Sequence, residues 1–247
     1  MGRARVVVAD LVLSFLWVWA GALVRLFVYR TVAPGHEAEL LKVALSIGYM
    51  FFFAWLDKLT GGGSYNPLTV LIYTVAGNGG YLFAAFCRIP AQMLGSVAGV
   101  WLLKEAFPKV GHGPRVNGGI HHGALVEGLA TFAVVMVSLI LKHKEVNSFF
   151  MKTWISSISK MTLHILSSDL TGGIMNPASA FGWAFARGDH ISLEHVLVYW
   201  VAPIQAALFG VWGVKQFTKP KSTGAQKSEE TKSTEAQNSD ETKSKSD

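Results

Sequence analysis

The sequence predicts an all-α membrane fold of six transmembrane helices plus two re-entrant half-helices, arranged as an inverted repeat. Three observations carry that prediction. The chain is 51% hydrophobic and only 15% charged, where a soluble domain carries about a quarter charged residues. Six apolar runs are each long enough to cross a hydrocarbon core about 30 Å thick. Two further apolar segments resemble one another and are about half the length needed to cross.

The six runs fall at residues 6–28, 41–59, 81–103, 122–141, 149–167 and 195–217. The stretches between them read as loops: 30–36 with Pro34 and Gly35, 104–117 with its prolines and glycines, and the charged turn 142–145. An even number of spans places both termini on one face. Charge bias assigns that face to the cytoplasm, with Arg3, Arg5, Lys58, Lys142, Lys144, Lys215 and Lys219 on it. Arg30, Lys42, Lys104, Lys109, Arg115 and Arg187 fall on the other side. The N-terminal run is too long for a cleavable signal peptide and lacks a small-residue cleavage site.

The net charge of +6 belongs to the body of the chain, because six lysines and six acids cancel within residues 218–247. In the body the basic residues lie mostly at the edges of apolar runs. That suits interface anchoring and excludes a nucleic-acid face. Cys87 is the single cysteine, so no intrachain disulfide forms. Residues 1–217 read as one channel domain. Residues 218–247 repeat Lys-Ser-Thr-x-Ala-Gln without apolar periodicity and read as a disordered polar cytoplasmic tail.

The two short segments are 66–76 and 176–186. Each starts Asn-Pro in a similar context: Gly62-Gly63-Ser64-Tyr65-Asn66-Pro67-Leu68-Thr69 and Gly172-Gly173-Ile174-Met175-Asn176-Pro177-Ala178-Ser179. Asn is a favoured N-cap and Pro a favoured first helical residue, so both are helix starts. Three spans separate them, so they enter the membrane from opposite faces and meet near its middle, as in an inverted repeat. A helix that starts there exposes unpaired N–H groups and the positive end of its dipole. Such backbone is tolerated only inside protein or along a water-filled cavity. Paired starts disfavour cations, and the Asn66 and Asn176 carboxamides can orient passing water and hinder proton hopping. Taken singly, an Asn-Pro is only a loop before an ordinary helix; the matched pair in opposite orientations is what carries the pore reading.

On these residues the chain resembles the aquaporin (major intrinsic protein) superfamily over roughly residues 6–217. It is most similar to the small basic intrinsic proteins of plants, second type, whose first motif reads Asn-Pro-Leu. Asp10-Leu11-Val12-Leu13-Ser14 and Glu127-Gly128-Leu129-Ala130-Thr131 match the family's acid followed four residues later by Ser or Thr. The resemblance implies a homotetramer with one pore per subunit and residence in the endoplasmic reticulum membrane. It gives Asp10 and Glu127 the role of accepting hydrogen bonds from the re-entrant loops. Asp10 is shorter than the usual Glu, which puts its reach in question. A proton relay is the alternative role for an acid inside a span.

Carried over by spacing, the family's constriction positions are Ser46, His164, Gly173 and Ser179. Water-selective members have an aromatic at the first and arginine at the last. Here both are serine, so the constriction is expected to be wider and to lack its fixed positive charge. Leu68 in place of alanine narrows the midplane if it faces the lumen, and Ser64 stands where many members have histidine. Gly95 and Gly99 at GxxxG spacing permit close helix packing. Trp17, Trp19, Trp183, Trp200 and Trp212 read as core or interface anchors. The His121-His122 pair lacks a third ligand at metal spacing, so no metal and no cofactor are expected.

The function that follows is a membrane channel for passive water transport, with passage of small neutral solutes left open, without covalent chemistry. Two alternatives stand beside it. One is a closed or scaffold-like homologue shut by Leu68; the other is a polytopic membrane enzyme using the His pair with Asp10 and Glu127.

Overall fold

The computed structural model describes residues 2–78, 80–144 and 146–217. The expected tail, 218–247, lies outside the described residues. Among those described, every regular element is helical: α1 Arg3–Thr31, α2 His36–Thr60, α3 Pro67–Tyr73, α4 Tyr81–Ala106, α5 Ile120–His143, α6 Phe149–Thr171, α7 Pro177–Arg187 and α8 Leu193–Phe217. Each expected span corresponds to one long helix, and each Asn-Pro segment to a short one. By length and hydropathy, α1, α2, α4, α5 and α8 are able to cross a membrane. The helix α6 has the length but a polar face, for a reason that emerges at the site.

The polarity of the bundle is inverted relative to a soluble protein. Large apolar side chains such as Leu11, Phe27, Trp55, Leu94 and Leu129 face outward. Asp10, Gln92, Glu127 and Thr131 are wholly buried. That distribution, apolar side chains outward and ionisable ones inward, fits a bundle solvated by lipid.

The two halves, α1–α4 and α5–α8, repeat one another in packing. Val18 and Ala22 of α1, Val100 and Leu103 of α4 and Trp183 of α7 form one apolar cluster. Val135 and Leu139 of α5, Ala207 and Val211 of α8 and Leu68 of α3 form its counterpart. Each half-helix thus packs into the long helices of the opposite half. The repeat extends to a backbone detail: α4 and α8 each carry a wide π-type turn, Ala84–Arg88 and Leu197–Val201. In both, a proline follows two residues later, Pro90 and Pro203. A proline lacks the N–H that would close the preceding turn, and widening that turn absorbs the defect.

Close approach of α1 and α4 depends on Gly95. A Cβ there would overlap the Leu11 carbonyl, and one at Gly99 would stand 3.1 Å from the Phe15 oxygen. The GxxxG reading of these two residues therefore holds as a packing device.

Candidate functional site

Both half-helices begin as their sequence dictates. The Asn66 side chain accepts from Leu68 N–H at 3.0 Å, with Pro67 at the first helical position. The Asn176 side chain accepts from Ser179 N–H at 3.3 Å, with Pro177 following. The carbonyl oxygen of each carboxamide is thereby used as a cap. Each amide nitrogen crosses to the other loop: Asn66 Nδ2 donates to the Met175 carbonyl at 2.8 Å, and Asn176 Nδ2 to the Tyr65 carbonyl at 3.1 Å. The acceptor in each case is the residue just before the opposite asparagine. One N–H of each carboxamide is left over for other partners.

The two loops hang from buried acids. Glu127 Oε1 accepts from Ile174 N–H at 3.0 Å and from the Thr171 hydroxyl at 2.7 Å, and its Oε2 accepts from Met175 N–H at 3.0 Å. The Tyr199 hydroxyl donates to the Thr171 carbonyl at 2.7 Å and steadies the same corner. Met175, gripped by Glu127 through its N–H and by Asn66 through its carbonyl, holds a left-handed φ of 43°. A non-glycine residue keeps such a conformation only where its surroundings over-determine it.

Asp10 does reach its loop, but only once: Ser64 N–H donates to Oδ1 at 2.6 Å. The rest of the carboxylate is taken by Arg88, whose Nε and Nη2 lie 2.6 and 2.8 Å from Oδ2 and Oδ1. Arg88 Nη2 also donates to the Gly62 carbonyl at 2.6 Å, so the guanidinium bridges acid and loop. Sequence reading did not single out Arg88. The available signal was an arginine inside the run 81–103, where an ionisable residue needs a partner.

Two cavities border the Asn-Pro junction. The larger, about 480 Å³, has Ser46, His164, Gly173 and Ser179 in its wall, so the four positions carried over by spacing meet in one place. The smaller, about 90 Å³, is bordered by Asn66, Leu68, Thr131, Ser138, Ser156 and Ser159, among others. Lys160 and Met175 belong to both walls. His164 is oriented by its Nδ1, 3.1 Å from the Gly173 carbonyl, which assigns the proton to Nδ1. Gly173 itself has φ of 54°, and a Cβ there would stand 2.6 Å from the His164 oxygen. Only glycine fits that corner.

The polar face of α6 now has its explanation. Ser156, Ser159, Lys160, His164 and Ser168 all border one or other cavity. The hydropathy of α6 is low because that helix lines the interior.

The structure adds to three expectations. The constriction positions carry no arginine, but the larger cavity is not without positive charge: Arg25, Lys42 and Lys160 stand in its wall. The charge enters from α1, α2 and α6 at positions that the four-residue comparison does not consult. Trp17 packs among aromatic rings, stacked 3.8 Å on Tyr65, and also borders the larger cavity. Leu68 is 4% exposed, packs in the seam with Val135, Leu139, Ala207 and Val211, and also borders the smaller cavity. Ser64 and Asn66 knot the loop locally, Asn66 N–H donating to Ser64 Oγ at 3.2 Å. His121 and His122 lie exposed at the start of α5, away from both cavities.

Comparison with known proteins places these features in company. The profile described as "Major intrinsic protein" matches residues 1–213. A Zea mays protein named "Aquaporin SIP2-1" is 61% identical over 233 residues, covering 92% of this chain and 94% of the relative. An Arabidopsis thaliana protein named "Probable aquaporin SIP2-1" is 49% identical over 231 residues, covering 92% of this chain and 98% of the relative. The X-ray structure of the aquaglyceroporin from Plasmodium falciparum superposes with a TM-score of 0.68. At 16% identity, over 85% of this chain and 95% of that one, this is a likeness of fold.

Proposed function

The chain belongs to the major intrinsic protein family, and from that premise we propose that it passes water, with small neutral solutes, and bars cations and protons at the Asn66–Asn176 junction. It is a multi-pass integral membrane channel for water or small solutes and not an enzyme. The observation that carries the finer reading is the crossed pair of hydrogen bonds, Asn66 to the Met175 carbonyl and Asn176 to the Tyr65 carbonyl. That pairing fixes both carboxamides between the two cavities, each with an N–H to spare. A water oxygen held by those groups points its own hydrogens away from the junction. A hydrogen-bonded chain of waters is broken in direction there, and proton hopping with it.

The selectivity positions are Ser46, His164, Gly173 and Ser179. With serine at both the first and last, and a cavity of about 480 Å³ beside them, the pore accommodates solutes larger than water. Asp10 and Glu127 serve as loop supports. The placement of the chain in the endoplasmic reticulum and its assembly as a homotetramer belong to the same proposal, supported by its similarity to the type-2 small basic intrinsic relatives.

The test is stopped-flow osmotic shrinkage of proteoliposomes holding the purified full chain, run beside empty vesicles and followed by glycerol and urea uptake. Shrinkage faster than the lipid control, with low activation energy and no proton leak, is expected. Shrinkage and uptake both at the lipid rate would remove the proposal and leave a closed homologue.

A further inference from the structure

We propose that Lys160 is an anion site inside the pore, through which the channel admits small monovalent inorganic anions such as chloride or nitrate. The inference rests on the pore reading above and deepens it, because it assigns a specificity residue outside the four constriction positions.

Lys160 sits on α6 one turn before His164, and its side chain borders both cavities. Its ammonium lies beside the stacked Trp17 and Tyr65 rings, 5.7 and 5.4 Å from their centroids. Nζ donates to Tyr65 Oη at 3.2 Å. Tyr65 is the residue whose carbonyl receives Asn176, so Lys160 is docked on the junction itself. The Tyr65 hydroxyl holds the ammonium in place without neutralising it. Among the described residues Tyr65 Oη is its hydrogen-bond partner, so two of the three ammonium N–H directions remain for what occupies the lumen.

The charge of Lys160 is not matched by the protein. Among the described residues, neither cavity has a carboxylate in its wall. The buried acids nearby are committed elsewhere: Asp10 to Arg88 and the Ser64 amide, Glu127 to Thr171 and two loop amides. Among the described residues, Lys42 pairs with Glu39, while no ion pair forms to Arg25 or Lys160. A charge inside a membrane protein is ordinarily paired with an opposite charge. Here the counter-charge has to come from solution. A compact ammonium with rotatable donors suits a small, roughly spherical or planar anion better than a large one. The same ammonium repels cations before they reach the asparagines. The serine hydroxyls at Ser46 and Ser179 leave the approach open where a bulky aromatic would close it.

The test uses the full-length chain in proteoliposomes loaded with a chloride-quenched dye, with potassium and valinomycin to clamp the voltage. Chloride entry, nitrate entry by anion exchange, and osmotic shrinkage are read on the same vesicles. Wild type and Lys160→Arg are expected to admit chloride well above the lipid rate, as is Lys152→Met, which changes an exposed lysine on the same helix. Lys160→Met and Lys160→Gln should each cut chloride entry by about tenfold or more while water flux persists; Gln keeps a donor for Tyr65 and guards against a packing artefact. Chloride entry at the lipid rate in wild type, with water or glycerol flux intact, would overturn the anion site and leave the pore reading standing. Chloride entry unchanged in both neutral variants would do the same. Wild-type vesicles impermeable to water, glycerol and chloride alike would overturn both.

Discussion

The loop before Asn176 hangs from Glu127 by two backbone amides and a hydroxyl, whereas the loop before Asn66 hangs from Asp10 by one amide. Both acids are fully buried on equivalent helices of the inverted repeat. One methylene separates them, and the structure shows how its loss is met. Arg88 occupies the carboxylate oxygens that Asp10 cannot bring to the loop, and hands its own Nη2 to the Gly62 carbonyl instead. The first half is therefore held by a buried ion pair and the second by neutral donors. Equivalent geometry has been reached by chemistry of different sensitivity: one loop depends on a cation being present, the other on a carboxylate having two free oxygens.

The largest effect should come from breaking the ion pair on one side. Arg88→Met leaves Asp10 buried and unpaired, which typically costs about 3–5 kcal/mol. A lowered Tm of the detergent-solubilised protein and collapse of osmotic water flux are expected. The comparison sharpens if acid length is the cause. Asp10→Glu in the Arg88→Met background lets the longer acid reach more of its loop, and should recover part of the lost Tm; no recovery would mean that Arg88 does more than complete a short acid.

Next in size is Glu127→Gln. The amide keeps one accepting oxygen but turns an NH₂ toward a backbone N–H, orphaning a buried donor at a cost of about 1–3 kcal/mol. Thermal unfolding should register that loss, and the same swap at Asp10 should cost more, because it also strips Arg88 of its counter-charge. Equal losses at the two sites would break the contrast. Leu68→Ala should have its main effect on stability, opening a void in the seam with Val135, Leu139, Ala207 and Val211. A buried Leu→Ala change costs about 2–5 kcal/mol in soluble cores; the lower end is expected beside a cavity that already borders the side chain. Water flux per folded channel should change little. A surge in flux would show that Leu68 had been the plug.

Long apolar runs and paired Asn-Pro starts made the six long helices and both half-helices readable, because span length and N-cap chemistry are local properties. Ser46, His164, Gly173 and Ser179 were picked out by their spacing from those motifs, and all four border one cavity. Other features needed three dimensions. Arg88 and Lys160 each look like a stray charge in a span until the helix face is known: one turns to Asp10, the other to the two cavities. Trp17 reads as an anchor in sequence because nothing local tells that its ring meets Tyr65, 48 positions away in the chain. The wide turns in α4 and α8 follow from Pro90 and Pro203, whose effect on the preceding turn could have been anticipated but not its form.

The crossed asparagine bonds join partners 109 and 111 residues apart. Contacts so distant along a chain form late, after the loop-closure cost between them has been met. During synthesis, then, α1 to α4 can insert and pack while Asn66 still lacks the Met175 carbonyl. The crossed asparagine pair is completed only when the second half arrives, so a nascent or truncated first half is a bundle of spans whose Asn66 amide lacks its Met175 partner.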